Sequence, residues 1–191
     1  MFRTIEPKDY SYYRARIDLF IGLIKLKQDL PLSCEEQAYS TFIIDEGENG
    51  IIYGGAVLYK QSVNTLPTQL RTFLSTCVVN GEDVWVCTPA LCFESTNISS
   101  TNKDKLNFSQ AFYSRLLQKL NEFGKEKSID FLCLTLNSFE RLRIKDKKVW
   151  SCLLEVGPKK NLNSFFYGIL PLSHQKRKLA RNGLLPFLKM A

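Results

Sequence analysis

The 191-residue sequence contains a single histidine, His174, and none of its six cysteines forms a C-x-x-C pair. A structural zinc site needs about four cysteine or histidine ligands at short spacings, so the sequence disfavours a zinc-binding class. Three of the cysteines, Cys87, Cys92 and Cys133, lie in apolar stretches, where a thiol behaves as a small hydrophobic side chain. We therefore expect reduced, buried cysteines and no metal cofactor.

Long hydrophobic runs are also missing from this chain. The longest apolar run near the start, Leu19–Ile24, contains Gly22 and is followed by Lys25 and Lys27. It is far shorter than the roughly 20 apolar residues of a membrane-spanning helix. The first residues carry several charges and lack the apolar segment of a signal peptide. These absences predict a cytoplasmic protein without a transmembrane segment.

Acidic residues are absent from the C-terminal end of the chain. No Asp or Glu follows Glu155, whereas seven Lys and Arg residues do, and this surplus equals the whole formal net charge of +7. Residues 1–155 are therefore balanced in charge. We expect a basic C-terminal tail over residues 173–191, whose charge favours an acidic partner or surface.

Hydrophobic periodicity predicts an ordered series of helices and strands along the chain. Predicted helices repeat apolar residues every three to four positions, and predicted strands are β-branched or continuously apolar. In chain order the prediction is helix 10–27, loop 31–36, strand 41–45, strand 51–61, a helical piece 67–75, strand 84–93, polar loop 95–107, a long helix from about Phe108, strand 129–136, a charged helix 138–149, and strands 153–156 and 164–170.

Two local features modify these strands. Gly54 and Gly55 lie inside the second strand and predict a bulge or a close approach of two backbones. Pro89 lies inside the apolar strand 84–93, and because proline lacks a backbone N–H it predicts a bulge there. The order of elements, a hairpin followed by strand, loop, helix and strand, predicts one α/β (α+β) domain over residues 1–172. We expect three layers, a mixed and mostly antiparallel sheet flanked by helices.

This layout resembles the GNAT acyltransferase superfamily and, within it, the acyl-homoserine-lactone (autoinducer) synthases of bacteria. The resemblance covers roughly residues 10–170. It implies an enzyme that moves an acyl group from a coenzyme A or acyl-carrier thioester to an amine. It also implies a gap between strands 84–93 and 129–136 that admits the pantetheine arm. The local echoes are Arg16 and Phe20 in the first helix, the acidic residues Asp29, Glu35 and Glu36, the glycine-containing stretch Tyr53–Lys60, and the pair Val84-Trp85.

Several positions depart from that family. Val86 and Pro89 stand where its central strand has Glu and Arg, and Val57 stands where its hairpin strand has Arg. The loop 95–107 lacks the glycines of the superfamily's pyrophosphate-binding pattern. The alternative is therefore a catalytically degenerate scaffold that serves as a protein-interaction or regulatory module. In that case Phe93 or Phe131 is expected to plug the gap between the strands.

Two residues are candidates for catalysis on such a scaffold. Glu94 ends the central strand and is the candidate base for the incoming amine. Tyr167 lies on a late strand and is the candidate acid toward the leaving thiolate. The alternatives are an exposed residue that opens a loop for Glu94, and a core tyrosine with a satisfied hydroxyl for Tyr167.

The residues around the start of the long helix are candidates for binding the acyl-CoA or acyl-carrier co-substrate. Helix N-termini present N–H groups that bind phosphate, and Lys103 and Lys105 precede the predicted helix start. Phe93, Asn107 and Ser109 complete this predicted binding set. Plain helix capping by Asn107 or Ser109, and a solvated polar loop for the two lysines, are the alternatives.

The basic tail has several possible partners. An acidic acyl-carrier protein, an anionic membrane surface and a nucleic acid backbone all carry the required charge. Nucleic acid is disfavoured because the basic cluster around Lys176–Arg181 is short and has no interleaved aromatic residue. A disordered, solubilising tail is the remaining alternative.

Overall fold

A computed structural model describes residues 1–26, 34–66, 68–77, 83–92, 102–129, 131–136, 154–156 and 166–172. Its strands are β1 (Phe2–Ile5), β2 (Thr41–Glu46), β3 (Ile52–Ser62), β4 (Asp83–Leu91), β5 (Phe131–Leu136), β6 (Leu154–Val156) and β7 (Phe166–Pro171). They form one sheet in the order β1-β2-β3-β4-β5-β7-β6. Only β4 and β5 are parallel neighbours in this sheet. The predicted mixed, mostly antiparallel sheet is confirmed.

Four α-helices lie within the described residues. They are α1 (Tyr10–Lys25), α2 (Cys34–Ala38), α3 (Thr68–Cys77) and α4 (Asn102–Glu126). Of these, α1, α3 and α4 pack on the sheet. Successive strand residues point to opposite faces, so Phe42 and Ile44 pack with α1 and α3, whereas Ile43 packs with α4. The three layers expected from the sequence follow from these two apolar clusters.

Membrane insertion through a helix has no support in the part of the chain that the structure describes. No helix in these ranges is both long enough and apolar enough to cross a bilayer.

Some elements differ from the sequence prediction. The predicted loop over 31–36 is wrong at its end, because α2 begins at Cys34. β1 is not predicted, since the charged Arg3 interrupts a four-residue strand too short to show a period. It pairs with β2, with Phe2 opposite Asp45. The predicted charged helix over 138–149 lies outside the described residues.

The close backbone approach predicted at the two glycines of β3 is confirmed. A Cβ atom added to Gly55 would lie 2.0 Å from the carbonyl oxygen of Ile43. The same atom added to Gly54 would lie 2.4 Å from the carbonyl oxygen of Ala90. Gly54 also has a φ of +158° and follows Tyr53, which forms a bulge opposite β2. β3 therefore approaches both of its neighbours more closely than a side chain would allow.

The bulge predicted at Pro89 is wrong. The register between β3 and β4 is continuous, and Pro89 lies directly opposite Ala56. The parallel pairing of β4 with β5 ends earlier, at Cys87. Proline is tolerated at this level because β4 is paired with a strand on one side only, as at a sheet edge.

An ion pair between Glu6 and Lys127 ties the connection after β1 to the end of α4. The Lys127 Nζ lies 2.6 Å from Glu6 Oε1. The hydrogen bond from this ammonium holds the pKa of Glu6 below its ordinary value of 4.5. A carboxyl whose pKa is lower in the folded state stabilises the fold above its unfolded pKa. That contribution is lost as the pH falls through the folded pKa.

We expect Glu6→Gln to lower the free energy of unfolding by roughly 0.5 kcal/mol at pH 7, as for other partly exposed pairs. The difference from wild type should shrink once the pH falls below about 4.5, because Glu6 then becomes neutral as well. Urea denaturation at pH 7 and pH 3 measures both differences. An equal loss at the two pH values would contradict an ionic contribution.

Candidate functional site

The parallel pairing between β4 and β5 ends before either strand does. Their parallel pairing joins Trp85–Cys87 to Leu132–Leu134. Both strands continue past the last pair, to Leu91 and Leu136 respectively. We call the opening beyond the last pair the fork. The neighbouring parallel strands that the resemblance implies are therefore present.

Two buried threonines lie at the base of the fork. The Thr88 and Thr135 Oγ1 atoms are 2.6 Å apart, and the two residues are 0% and 4% exposed. Each residue occupies the first position after the paired part of its strand. A hydroxyl both donates and accepts a hydrogen bond. The two hydroxyls therefore form a buried polar pair directly beyond the last paired residues of β4 and β5.

Sequence reasoning did not identify this hydroxyl pair. Each threonine is a polar residue within an apolar strand, in Val86-Cys87-Thr88 and in Leu134-Thr135-Leu136. This signal is weak, because threonine is a common strand former. Only the register of the two strands shows that the two hydroxyls meet.

Thr88→Val and Thr135→Val should each lower the free energy of unfolding by about 1–2 kcal/mol, because each leaves one buried hydroxyl without its partner. The double variant should lose no more than either single variant, since both polar groups are then replaced by methyl groups of similar shape. Urea denaturation of the four proteins in a double-mutant cycle measures the coupling. Strictly additive losses would show that the two hydroxyls do not stabilise each other.

The start of α4 corrects the predicted helix boundary. The helix begins at Asn102 rather than at about Phe108, because its first turns are polar and hydrophobic periodicity appears only later. The capping roles predicted for Asn107 and Ser109 are wrong, since both lie inside the helix. Asn107 is exposed, whereas Ser109 is buried at 2% exposure. The orphan N–H groups of a helix belong to its first turn, which lies nearer Asn102.

Lys103 and Lys105 are the second and fourth residues of α4. They lie in the first turn of the helix rather than in a loop before it. The predicted loop over 95–107 is therefore wrong for residues 102–107, and its earlier part lies outside the described residues. Basic residues in a first turn oppose the helix dipole, which favours negative charge there.

Tyr167 is brought to the level of the fork by the sheet register. It lies in β7, directly opposite Thr135 of β5 and Val156 of β6. The predicted candidate base Glu94 and the predicted contact Phe93 follow β4 in the sequence and lie outside the described residues. Of the predicted catalytic pair, the described structure therefore places only Tyr167.

Phe131 does not lie in the fork. It precedes the first β4–β5 pair, Trp85 with Leu132, and lies opposite Pro171 of β7. Its side chain is buried, at 8% exposure, in the cluster beneath α1 and α3. The alternative in which Phe131 plugs the gap is wrong, because Phe131 is at the closed end of the strand pair.

Three buried cysteines lie in β4 or β5 or directly after β4. Cys87, Cys92 and Cys133 are buried thiols that form no disulfide, as the sequence predicts. Burial raises the pKa of the Cys133 thiol to about 12, so this thiol stays protonated at neutral pH and is not a nucleophile. Among the described residues, no group of three or more His, Cys, Asp or Glu side chains is placed to hold a metal ion.

Arg16 and Phe20, which resemble the family locally, lie beside β2 and β3. Arg16 Nη2 is 2.9 Å from Glu46 Oε1, and Nη1 donates to the carbonyl oxygen of Gly50 at 3.3 Å. Phe20 is fully buried, with its ring 6.5 Å from that of Phe42. Arg16 also lines a cavity of about 1210 Å³ between α1, β1 and the β2–β3 turn. Arg16 thus stabilises the β2–β3 turn, and Phe20 is part of the core beneath α1.

A mixed sheet with adjacent parallel central strands and helices on both faces is the fold of the GNAT acyltransferases, and the predicted fold is confirmed. The solved structure of the AHL synthase LasI is similar at a TM-score of 0.53 and 9% identity, covering 97% of this chain and 96% of that chain. FeeM, an N-acyl amino acid synthase from uncultured soil microbes, is similar at a TM-score of 0.50 and 14% identity, covering 90% and 95% respectively. No protein-family model and no curated protein matches the sequence.

Proposed function

We propose that this protein is an acyltransferase that moves an acyl group from a coenzyme A or acyl-carrier thioester to an amine. The observation that carries the proposal is the fork with the Thr88–Thr135 hydroxyl pair at its base. The names of the two similar structures, an AHL synthase and an N-acyl amino acid synthase, support the same class of reaction.

The edge of β4 beside the fork suits a pantetheine arm. Such an arm is an extended chain with amide groups, and it can add to a sheet as an extra strand. β4 keeps its pairing with β3 as far as Leu91, while its other edge faces the fork beyond Cys87. An arm placed there would carry its thioester along β4 toward Thr88.

The first turn of α4 is the proposed site for the phosphates of the donor. Its orphan N–H groups carry partial positive charge. Lys103 and Lys105 add two full charges to the same turn, and a bound phosphate would offset their repulsion by the helix dipole. Phe93, Asn107 and Ser109 remain proposed contacts of the donor on either side of this turn.

The chemistry that we propose is direct transfer. The amine nitrogen attacks the thioester carbonyl carbon, the C–N bond forms, the C–S bond breaks and the thiolate leaves. A threonine hydroxyl that donates to the carbonyl oxygen would stabilise the negative charge that develops there. Glu94 would take the proton from the amine, and Tyr167 would give a proton to the thiolate. No acyl-cysteine is needed, in keeping with the protonated Cys133.

The basic residues after Glu155 support an acyl-carrier protein as one form of the donor. Acyl-carrier proteins are acidic, and complementary charge speeds association in a manner that salt weakens. We propose that residues 173–191 contribute to this recognition.

Thermal denaturation with acetyl-CoA, octanoyl-CoA, free CoA and an acyl-carrier protein tests the proposal. A ligand at about 100 times its Kd stabilises the native state by about 2.7 kcal/mol. For a domain of this size that corresponds to a rise in Tm of roughly 5–10 °C. Mass spectrometry of reactions with a panel of amino acids and other amines detects the amide product.

The Thr88→Val/Thr135→Val double variant is the matched control for chemistry. It should fold and bind thioesters, yet form the amide about 100-fold more slowly, because the oxyanion loses its donors. An unchanged rate would remove the threonines from the mechanism. No rise in Tm with any thioester would contradict the acyltransferase and favour the interaction module.

A further inference from the structure

The face of α1 that points away from the sheet carries an apolar stripe. The exposed fractions are 82% for Tyr12, 47% for Leu19 and 83% for Leu26, and Ala15 and Gly22 between them are also exposed. We call these five residues the outward stripe. The residues of α1 that face the core lie on the opposite side of the helix and are Ile17, Phe20, Ile21 and Ile24.

The spacing of the outward stripe is that of a helix packed along another helix. Its members follow one another at intervals of three, four, three and four residues, which is the pattern of a helix–helix seam. Single exposed apolar residues are common on protein surfaces. Five in succession along about 21 Å of one helix face, none of them charged, form a surface suited to another helix.

We propose that two copies of this chain associate through their outward stripes, with the two α1 helices antiparallel about a two-fold axis. The stripe alternates large residues, Leu19 and Leu26, with small ones, Ala15 and Gly22. When Leu19 of one copy faces Gly22 of the other, Leu26 faces Ala15 as well. Both of these layers then combine a large and a small side chain, as close packing requires.

The surroundings of Gly22 support this fit. A Cβ atom added to Gly22 would have no heavy atom within 4 Å. The space above this glycine is therefore open to the leucine of a second copy. A parallel arrangement in register would instead place Leu19 on Leu19 and Gly22 on Gly22, which overfills one layer and leaves the next one empty.

Charges beside the stripe favour the same antiparallel register. Asp18 and Lys25 lie on one flank of the stripe, seven residues apart. Antiparallel packing brings Asp18 of each copy beside Lys25 of the other, which makes two symmetric opposite-charge pairs. Among the described residues, Asp18 makes a weak contact with Arg14 at 3.9 Å, with both side chains largely exposed.

A competing occupant is the apolar segment Leu184–Leu188 of the same chain. Its charged neighbours, Arg181 and Lys189, are both basic. They complement Asp18 but repel Arg14, Arg16 and Lys25 on α1. A second copy of α1 matches both signs and is the better partner.

Sedimentation equilibrium of the full chain over a range of micromolar concentrations tests the proposal. The average mass should rise from that of one chain toward that of two. Asp18→Lys should weaken association about tenfold at low salt, because two attractive pairs become repulsive. Asp18→Lys/Lys25→Asp should restore it, since the same pairs are rebuilt with the signs exchanged.

The Gly22→Leu variant distinguishes an effect on association from an effect on folding. The added side chain should prevent association by filling the position that Leu19 of the second copy needs. It should also raise the Tm of the single chain, because leucine favours a helix more than glycine does. Arg14→Leu, a leucine on the same helix outside the stripe, should leave association unchanged.

Three results would overturn the proposal. The first is a single-chain mass at every concentration, and the second is a double charge variant that associates no better than Asp18→Lys. The third is stronger association after deletion of residues 184–188, which would show that the chain's own C-terminal segment covers the stripe.

Discussion

Replacing Gly55 with alanine is expected to lower the free energy of unfolding by roughly 3 kcal/mol, at the upper end of overpacking effects. The new Cβ atom would lie 2.0 Å from the carbonyl oxygen of Ile43 and 2.9 Å from Cζ of Phe20. The carbonyl belongs to the backbone of β2 and cannot rotate away. β2 and β3 must therefore separate, and the pairing between them weakens.

Gly22→Ala is the matched control, because it adds the same methyl group where no heavy atom lies within 4 Å. It should raise the free energy of unfolding by up to about 1 kcal/mol, because alanine has a higher helix propensity than glycine at an exposed position. Urea denaturation of both variants measures the contrast. A Gly55→Ala variant as stable as wild type would show that β2 and β3 are not this close.

Phe112→Ala is the second substitution with a large expected effect. Phe112 is fully buried in α4, with its ring centroid 5.9 Å from that of Phe2 and 5.1 Å from that of Tyr113. Its removal leaves a cavity between α4 and the sheet beside Gly54. We expect the free energy of unfolding to fall by about 3–5 kcal/mol, as for other buried phenylalanines.

Phe108→Ala provides the comparison, because it removes the same side chain from the same helix at a half-buried position. Its ring contacts Tyr53 at a centroid distance of 5.9 Å. The expected loss is about 1 kcal/mol, because Phe108 buries less apolar surface on folding than Phe112 does. Chemical denaturation should separate the two variants clearly. Equal losses would mean that Phe112 does not fill the core beneath α4.

The central strands of the fold could be predicted because they share one property, burial on both faces of the sheet. β3, β4 and β5 are buried on both faces, so their sequences are continuously apolar and their bounds are easy to recognise. The hairpin before them has glycines at its turn. The order of these elements then restricts the topology, since parallel neighbours such as β4 and β5 require a helical crossover.

The elements that were missed carry less apolar signal. β1 and α2 are short, and their placement depends on pairing and packing with distant residues rather than on local propensity. The first turns of α4 have a polar sequence, so periodicity placed its start near Phe108 rather than at Asn102. Helix ends of this kind are defined by caps and solvent, not by a repeating pattern.

The site was predictable in location but not in detail. The sequence indicated a gap between β4 and β5 only through its resemblance to the GNAT acyltransferases, which implies one there. It did not indicate Thr88 and Thr135, since a hydroxyl pair exists only when the register of two strands distant in sequence is fixed. Tyr167 was named from its chemistry alone, and the register with Thr135 gives it a position.

The short pairing between β4 and β5 also divides the sheet into two parts. β4 is joined to β3 along its whole length, and β5 to β7 along its whole length, but β4 and β5 are joined only over Trp85–Cys87. One part contains β1 to β4 and the other contains β5, β7 and β6, and the two are joined by this short pairing. An extended donor molecule bound in the fork, as proposed, would pair with both parts of the sheet and would therefore also make the protein stiffer.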